Sequence, residues 1–220
     1  MSEVRTPRRN RVTPLGEIVA IPAKGRAMGN RGPLLNPDGT HARDWTYKRW
    51  ICCHTAEVHG RKVKFDDPVS YTPLFFTDEA VALAAGHRPC GSCRTDAYYH
   101  WLAIWKHLTG TSKYVRVRAS EMDRDLHRRR MAARRKSPVF MRLEEVPEGA
   151  FVIAPMLCDQ PALLWHGRVW PWREGTYTAP IEVGSREHDM AVVPRHGIRF
   201  LICGFRFDPN LAPAVGWSAP

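Results

Sequence analysis

Residues 86–96 read GHRPCGSCRTD and place two cysteines, Cys90 and Cys93, two residues apart in a turn that contains glycine. This spacing lets both sulfurs contact one metal ion at about 2.3 Å, and a helix beginning after the turn would favour their negatively charged thiolate forms. A C-x-x-C pair can also be a redox couple, but that motif follows a strand of a βαβ unit. Here the preceding residues predict a helix that ends at Gly86, so the pattern favours metal binding.

Helices are predicted on both sides of this turn. Before it, Thr77 is a candidate N-cap, AVALAA at residues 80–85 favours a helix, and Gly86 suits the position just past its end. After it, Thr95 and Asp96 can cap a second helix. One face of that helix carries aromatic and apolar side chains at helical spacing, namely Tyr98, Trp101, Leu102, Trp105 and Leu108. This stripe predicts core packing rather than a surface that stacks on bases.

The longer stretch FFTDEAVALAAGHRPCGSCRTD, residues 75–96, resembles the zinc-binding domain of the Ada family of methyl-phosphotriester DNA-repair proteins. The resemblance implies DNA as the partner and one zinc ion held by four cysteines, two of them from an upstream C-x3-C segment. It also implies that one upstream cysteine both binds zinc and accepts a methyl group. The upstream cysteines of this chain are adjacent, in WICCHT at residues 50–55. The implied ligands are therefore Cys52, Cys53, Cys90 and Cys93, with Cys53 as the candidate methyl acceptor.

The identity of the fourth ligand stays open when WICCHT is considered as a strand. In a strand, alternate side chains project to opposite faces, so Cys52 and His54 share one face and Cys53 takes the other. Both cysteines could bind one ion only if the chain turned sharply at this point. The site formed by Cys53 and the C-x-x-C pair can equally be completed by Cys52, His54 or His59.

Two hydrolytic alternatives also follow from the sequence. Zinc-dependent nucleobase deaminases combine H-x-E with P-C-x-x-C, and the glutamate moves protons. This chain has His54 and Glu57 in an H-x-x-E pattern, which is one residue too long, and Gly60 follows where a helix is needed. Farther along, Asp123 and His127 lie four residues apart on a predicted helix and could pair as the general base of a nuclease. Glu57 and His127 are therefore candidate catalytic residues of a zinc-dependent nucleic-acid enzyme.

The chain of 220 residues has 33 Lys plus Arg against 22 Asp plus Glu, a net charge of +11. A field of this sign attracts polyanions, so nucleic acid is the predicted partner; in a structural adaptor the same charge would be incidental. Basic residues are concentrated in a glycine-rich loop and in a helix predicted from Ser120 to Lys136. The candidate phosphate contacts are Lys24, Arg26 and Arg31 in the loop, and Arg128, Arg129, Arg130, Arg134 and Arg135 in the helix.

The sequence predicts an α+β protein in three parts. Residues 1–14 are polar and basic and predict a disordered arm; residues 15–137 form a zinc-binding module. Residues 138–220 predict a small antiparallel β domain with a hairpin turn at His166-Gly167 and a strand at residues 198–205. No apolar run approaches the roughly 20 residues that span a bilayer, and no secretory signal is apparent. The expectation is a cytoplasmic protein with reduced cysteines and no membrane partner.

Overall fold

The computed structural model describes residues 7–56, 70–133, 138–194 and 196–216. It confirms the α+β class. The helices are Glu79–Ala84 (α1), Thr95–Thr109 (α2), Ala119–Ala133 (α3) and Ile198–Ile202 (α4). The strands are Arg11–Val12 (β1), Ile18–Val19 (β2), Ala27–Asn30 (β3), Ile51–His54 (β4), Leu74–Phe76 (β5), Arg88–Pro89 (β6), Val139–Arg142 (β7), Phe151–Val152 (β8), Ala162–Trp165 (β9), Arg168–Arg173 (β10), Thr176–Tyr177 (β11), Ile181–Glu182 (β12) and Met190–Val193 (β13). Within the described ranges, no helix has the length and hydropathy needed to cross a membrane.

A six-stranded mixed sheet organises the first half of the chain, with the strand order β2-β1-β5-β3-β4-β6. Strand β3 pairs antiparallel with both β4 and β5. Gly29 permits this close pairing, because a Cβ at that position would lie 2.0 Å from the carbonyl oxygen of Ile51. The predicted glycine-rich loop is therefore wrong over Ala27–Asn30, where pairing with distant segments produces a strand.

Helix α1 precedes the cysteine turn, and its cap differs from the predicted one. Asp78, not Thr77, is the N-cap, and its Oδ1 accepts a hydrogen bond from the N–H of Val81 at 3.0 Å. The Oγ1 of Thr77 instead donates to the carbonyl of Gly175 at 3.0 Å. Gly86 has a φ of +86°, which confirms the predicted end of the helix. These bonds fix α1 between the six-stranded sheet and the second half of the chain.

Helix α2 follows the turn and buries its aromatic face, as predicted. Trp101 and Trp105 are buried, and Trp101 stacks on Phe200 of α4 with ring centroids 3.5 Å apart. The rest of the face is partly buried against the same cluster: Tyr98, Leu102 and Leu108. Helix α3 adds Met122 and Leu126 to this cluster. The helix that starts at the cysteine turn is therefore anchored along most of its length.

The second half of the chain forms the predicted short strands, with one exception. Strands β9 and β10 form a hairpin, and its turn residues His166 and Gly167 both have positive φ values, 51° and 69°. This confirms the predicted two-residue turn. The run at residues 198–205 is not a strand, because α4 occupies Ile198–Ile202. A short apolar run fits a buried helix as well as a buried strand.

Two hydrophobic clusters hold the elements together, and each includes residues from both sides of residue 137. One cluster includes Trp105 of α2 and Leu164 of β9; the other includes Phe76 of β5 and Leu163 of β9. The predicted boundary at residue 137 therefore does not separate two cores. The predicted disordered arm also differs from the structure, because β1 pairs with β2 and β5 and Val12 is buried.

Candidate metal centre

Three cysteines converge where β4 meets the cysteine turn. The sulfurs of Cys53, Cys90 and Cys93 lie within 4.8 Å of one another. Around a tetrahedral zinc ion with bonds of about 2.3 Å, sulfur atoms stand about 3.8 Å apart. The cluster therefore has the size and the donor atoms to hold a metal ion after small side-chain adjustments.

Strand pairing brings the turn to Cys53. Strand β6 pairs parallel with β4, and the N–H of Cys90 continues the ladder by donating to the carbonyl of Cys52 at 2.9 Å. The N–H of Arg94 then donates to the carbonyl of Cys90 at 3.1 Å, which closes the turn. Helix α2 begins immediately afterwards, at Thr95. The partial positive charge of a helix N-terminus favours thiolates beside it.

The three thiols interact strongly with one another. Hydrogen bonds from the Cys53 and Cys93 side chains lower the pKa of Cys90, and the N–H of Ser92, 3.5 Å from its sulfur, acts in the same direction. The hydrogen bonds to Cys90 and Cys93, together with burial, raise the pKa of Cys53. A bound cation would stabilise the thiolate form of all three sulfurs.

Cys52 does not belong to this cluster, which corrects the predicted set of four cysteines. It follows the opposite face of β4, is 1% exposed, and packs in the hydrophobic cluster that contains α1. Burial is the main reason that the pKa of Cys52 is raised to about 12, so its thiol is neutral at physiological pH. The alternation that separates the adjacent cysteines is the one that the strand geometry of WICCHT predicts.

His54 lies beside the cluster but its side chain has another partner. Its Nε2 is 3.2 Å from an Oδ2 of Asp208, while its backbone N–H donates to the sulfur of Cys93. Glu57 and His59 lie outside the described residues. The H-x-x-E alternative and the choice of His59 as a fourth ligand therefore stay predictions.

A buried ion pair supports the cysteine turn, and sequence reasoning missed it. The Nη2 of Arg94 is 2.5 Å from Oε1 of Glu79, with the two side chains 0% and 3% exposed. Asp208 lies 3.5 Å from the Nε of Arg94, and its backbone N–H donates to Glu79 at 2.8 Å. The sequence signals for this ion pair were Arg94, next to Cys93, and Glu79, in the first turn of α1. An acidic residue in the first turn is also explained by the helix dipole, so the sequence did not indicate that Glu79 pairs with Arg94.

The predicted pairing of Asp123 with His127 is wrong. Both carboxylate oxygens of Asp123 accept hydrogen bonds from Arg88 at 2.8 Å. His127 is buried, and its ring lies 4.3 Å from the ring of Trp45. This arrangement does not support His127 as a nuclease base, because the carboxylate that would orient it is committed to Arg88.

Two of the predicted phosphate contacts are buried instead. The guanidinium carbons of Arg31 and Arg130 lie 4.0 and 4.5 Å from the ring of Trp50. Arg31 is 0% exposed and bonds His87 and the carbonyl of Gly16; Arg130 is 4% exposed and bonds backbone carbonyls. Neither side chain can reach a polyanion in this conformation.

The other predicted contacts divide into three groups. Arg128 and Arg129 are exposed, although both pair with Asp125. Arg26 donates to the carbonyls of Asn210 and Ala212, and Lys24 is exposed in the turn before β3. Arg134 and Arg135 lie outside the described residues. Within the described part of this helix, Arg130 is buried and Arg128 and Arg129 share one carboxylate, so fewer cations are free there than the sequence predicts.

Comparison of the chain with protein-family models, curated proteins and solved structures gives no match. The metal centre is accordingly interpreted from the three converging sulfurs and the elements that hold them.

Proposed function

We propose that this protein binds one zinc ion through Cys53, Cys90 and Cys93, and that the zinc-bearing half contacts nucleic acid. The observation that carries the proposal is the convergence of three sulfurs from a strand and a C-x-x-C turn. Thiolate sulfur favours zinc among the common divalent ions, and this spacing is typical of structural zinc sites.

The ion would join two segments that are 37 residues apart in sequence, from Cys53 to Cys90. A bound zinc ion would cross-link these two segments through its thiolate ligands. Reduced thiols without an ion form no such link. Cys53 would fix β4, while Cys90 and Cys93 would fix the start of α2. The fourth position belongs to a water molecule or to a further protein ligand such as His59.

The nucleic-acid part of the proposal is supported by charge. The net charge of +11 attracts phosphate, and exposed cations remain on α3 and on the segment that packs beside it. Arg43, Lys48 and Arg49 are exposed near Trp45, which contacts α3 through His127. DNA rather than RNA, and a role in repair, are proposed on the resemblance to the Ada zinc domain.

Methyl-acceptor chemistry is a second candidate, favoured by the partial exposure of two of the three cysteines. Zinc-bound thiolates are nucleophiles when a substrate can reach them. Cys53 is 8% exposed, whereas Cys90 and Cys93 are each partly exposed. If the site accepts a methyl group, we expect it on Cys90 or Cys93 rather than on Cys53. Mass spectrometry after incubation with methyl-phosphotriester DNA would locate the modified cysteine.

Metal analysis of the purified chain tests the principal proposal. Single Cys→Ser variants at positions 53, 90 and 93 should each lower the zinc content, while Cys158→Ser serves as the matched control. Cobalt substitution should give the absorption of a tetrahedral thiolate site in the parent and lose it in the three variants. His59→Ala tests His59 as the fourth ligand, whereas Cys52→Ser should retain the zinc content because Cys52 packs in the hydrophobic cluster on the opposite face of β4. Unchanged zinc in the Cys53→Ser variant would contradict the three-sulfur site.

A further inference from the structure

The outer side of α2 and the loop that follows it carry two strongly exposed tyrosines. Tyr99 is 61% exposed and Tyr114 is 85% exposed, and Val115 beside it is 50% exposed. Tyr99 lies on α2 outside its buried aromatic face, whereas Tyr114 and Val115 lie in the loop that follows the helix. Exposed tyrosine rings can stack on a planar ligand such as an unpaired base.

An open groove of about 420 Å³ lies along this side of α2. Its lining includes Tyr99, Leu102, Lys106, His107 and Lys113. Pockets of a few hundred Å³ are large enough for a planar group such as a nucleobase. The lining combines an aromatic ring with cations, which is the composition that a base and its phosphate require.

The loop that carries Tyr114 is held in place. The Nζ of Lys106 donates to the carbonyls of Lys113 and Val115 at 3.0 and 2.7 Å. The ammonium of Lys113 lies 5.1 Å from the centre of the Tyr114 ring. Lys106 and the backbone of residues 113–115 are therefore held together before any ligand binds, which lowers the entropy cost of binding.

Charge selects the kind of ligand. Residues 97–118 contain four Lys or Arg and no Asp or Glu. Two of these cations, Lys106 and Lys113, line the groove itself. A polyanionic ligand is therefore favoured over one that carries no negative charge.

We propose that Tyr99, Lys106, Lys113 and Tyr114, here termed the tyrosine surface, bind single-stranded nucleic acid. The rings stack on unpaired bases and the lysines contact the phosphates. Single strands are selected because the base faces of a duplex are already covered by neighbouring base pairs. The inference rests on the nucleic-acid part of the proposed function and specifies which form is bound and where.

Fluorescence anisotropy with a labelled dT12 strand, and with a dT12·dA12 duplex at the same salt concentration, tests this. Tyr99→Ala and Tyr114→Ala should each weaken dT12 binding by about 5- to 150-fold, the loss expected for one stacked base. Tyr99→Phe and Tyr114→Phe keep the ring and should bind like the parent. Phe140→Ala, at an exposed aromatic residue of β7, is the control and should change nothing. Thermal melting of each variant checks that the fold is retained.

The outcomes separate this inference from the proposed function. If the parent binds nucleic acid but both alanine variants bind dT12 equally well, the tyrosine surface is refuted and the broader proposal survives. If the parent prefers the duplex, stacking on unpaired bases is refuted. If the parent binds neither form, both the surface and the nucleic-acid role are refuted, while the metal centre is unaffected. A dimer that Tyr114→Ala dissociates, without any dT12 binding, would identify a second copy of the chain as the occupant and overturn the inference.

Discussion

Replacing Arg94 with Met should destabilise the protein by about 3 kcal/mol. The substitution removes a cation that is 0% exposed and leaves the carboxylate of Glu79, 3% exposed, without its ion-pair partner. Breaking a buried ion pair from one side typically costs about 3–5 kcal/mol. Glu79 keeps the backbone N–H of Asp208 at 2.8 Å, so the loss should fall at the lower end of this range.

Urea unfolding in the presence of zinc measures this loss. With an m-value of about 2 kcal/mol/M, a loss of about 3 kcal/mol lowers the midpoint by about 1.5 M. Glu79→Gln should also destabilise the protein, because it leaves the buried guanidinium of Arg94 with only Asp208, 3.5 Å from its Nε. Burial raises the pKa of Glu79, so the penalty for burying its ionised form weakens as the pH falls and the carboxyl becomes protonated.

Arg128→Met provides the matched control for Arg94→Met. Arg128 pairs with Asp125, but its side chain is 78% exposed, and exposed ion pairs contribute about 0–1 kcal/mol. The reasoning is refuted if Arg94→Met unfolds within about 1 kcal/mol of the parent, or if the two variants lose the same stability.

Further perturbations test the sheet, the core and the charged surface. Gly29→Ala should lower the free energy of unfolding by about 3 kcal/mol, because the new Cβ would lie 2.0 Å from a carbonyl oxygen of β4. Gly91→Ala is the control and should be tolerated, because its Cβ would lie 3.4 Å from the ring of Tyr98. Asp123→Asn should lower the free energy of unfolding by about 3 kcal/mol, because it removes the carboxylate that pairs with buried Arg88. The zinc content should stay unchanged; a fall would show that this ion pair and the metal centre are coupled. Nucleic-acid affinity should fall steeply between about 50 and 200 mM salt. The double variant Arg128→Gln/Arg129→Gln should flatten the slope of log affinity against log salt concentration for duplex DNA by up to about 1.8. A slope near zero in the parent would favour the adaptor alternative.

The parts that the sequence predicted well are those set by local spacing. The C-x-x-C turn, the end of α1 at Gly86 and the buried face of α2 all depend on residues within a few turns of one another. The resemblance to the Ada zinc domain nominated both Cys52 and Cys53, and strand alternation predicted that they take opposite faces of β4. The choice between Cys52 and other fourth ligands could not be made, since it depends on which face of β4 meets the turn.

The parts that were missed depend on contacts between distant segments. Ala27–Asn30 contains two residues with weak strand preference, yet it pairs with β4 and β5 and buries Arg31 beside Trp50. The same effect removes Arg130 from the surface, although its neighbours in sequence suggest a solvated basic helix. The cation-rich segments therefore indicate a basic protein, but they do not indicate which of their arginines are exposed.

The zinc content of the purified parent chain and of its Cys53→Ser variant tests the central claim most directly. The account predicts about one equivalent in the parent and a marked loss in Cys53→Ser, because the strand cysteine and the C-x-x-C turn share one ion. Cys158→Ser should retain the parental value. A parent without zinc, or a Cys53→Ser variant with its full complement, would contradict the three-sulfur metal centre.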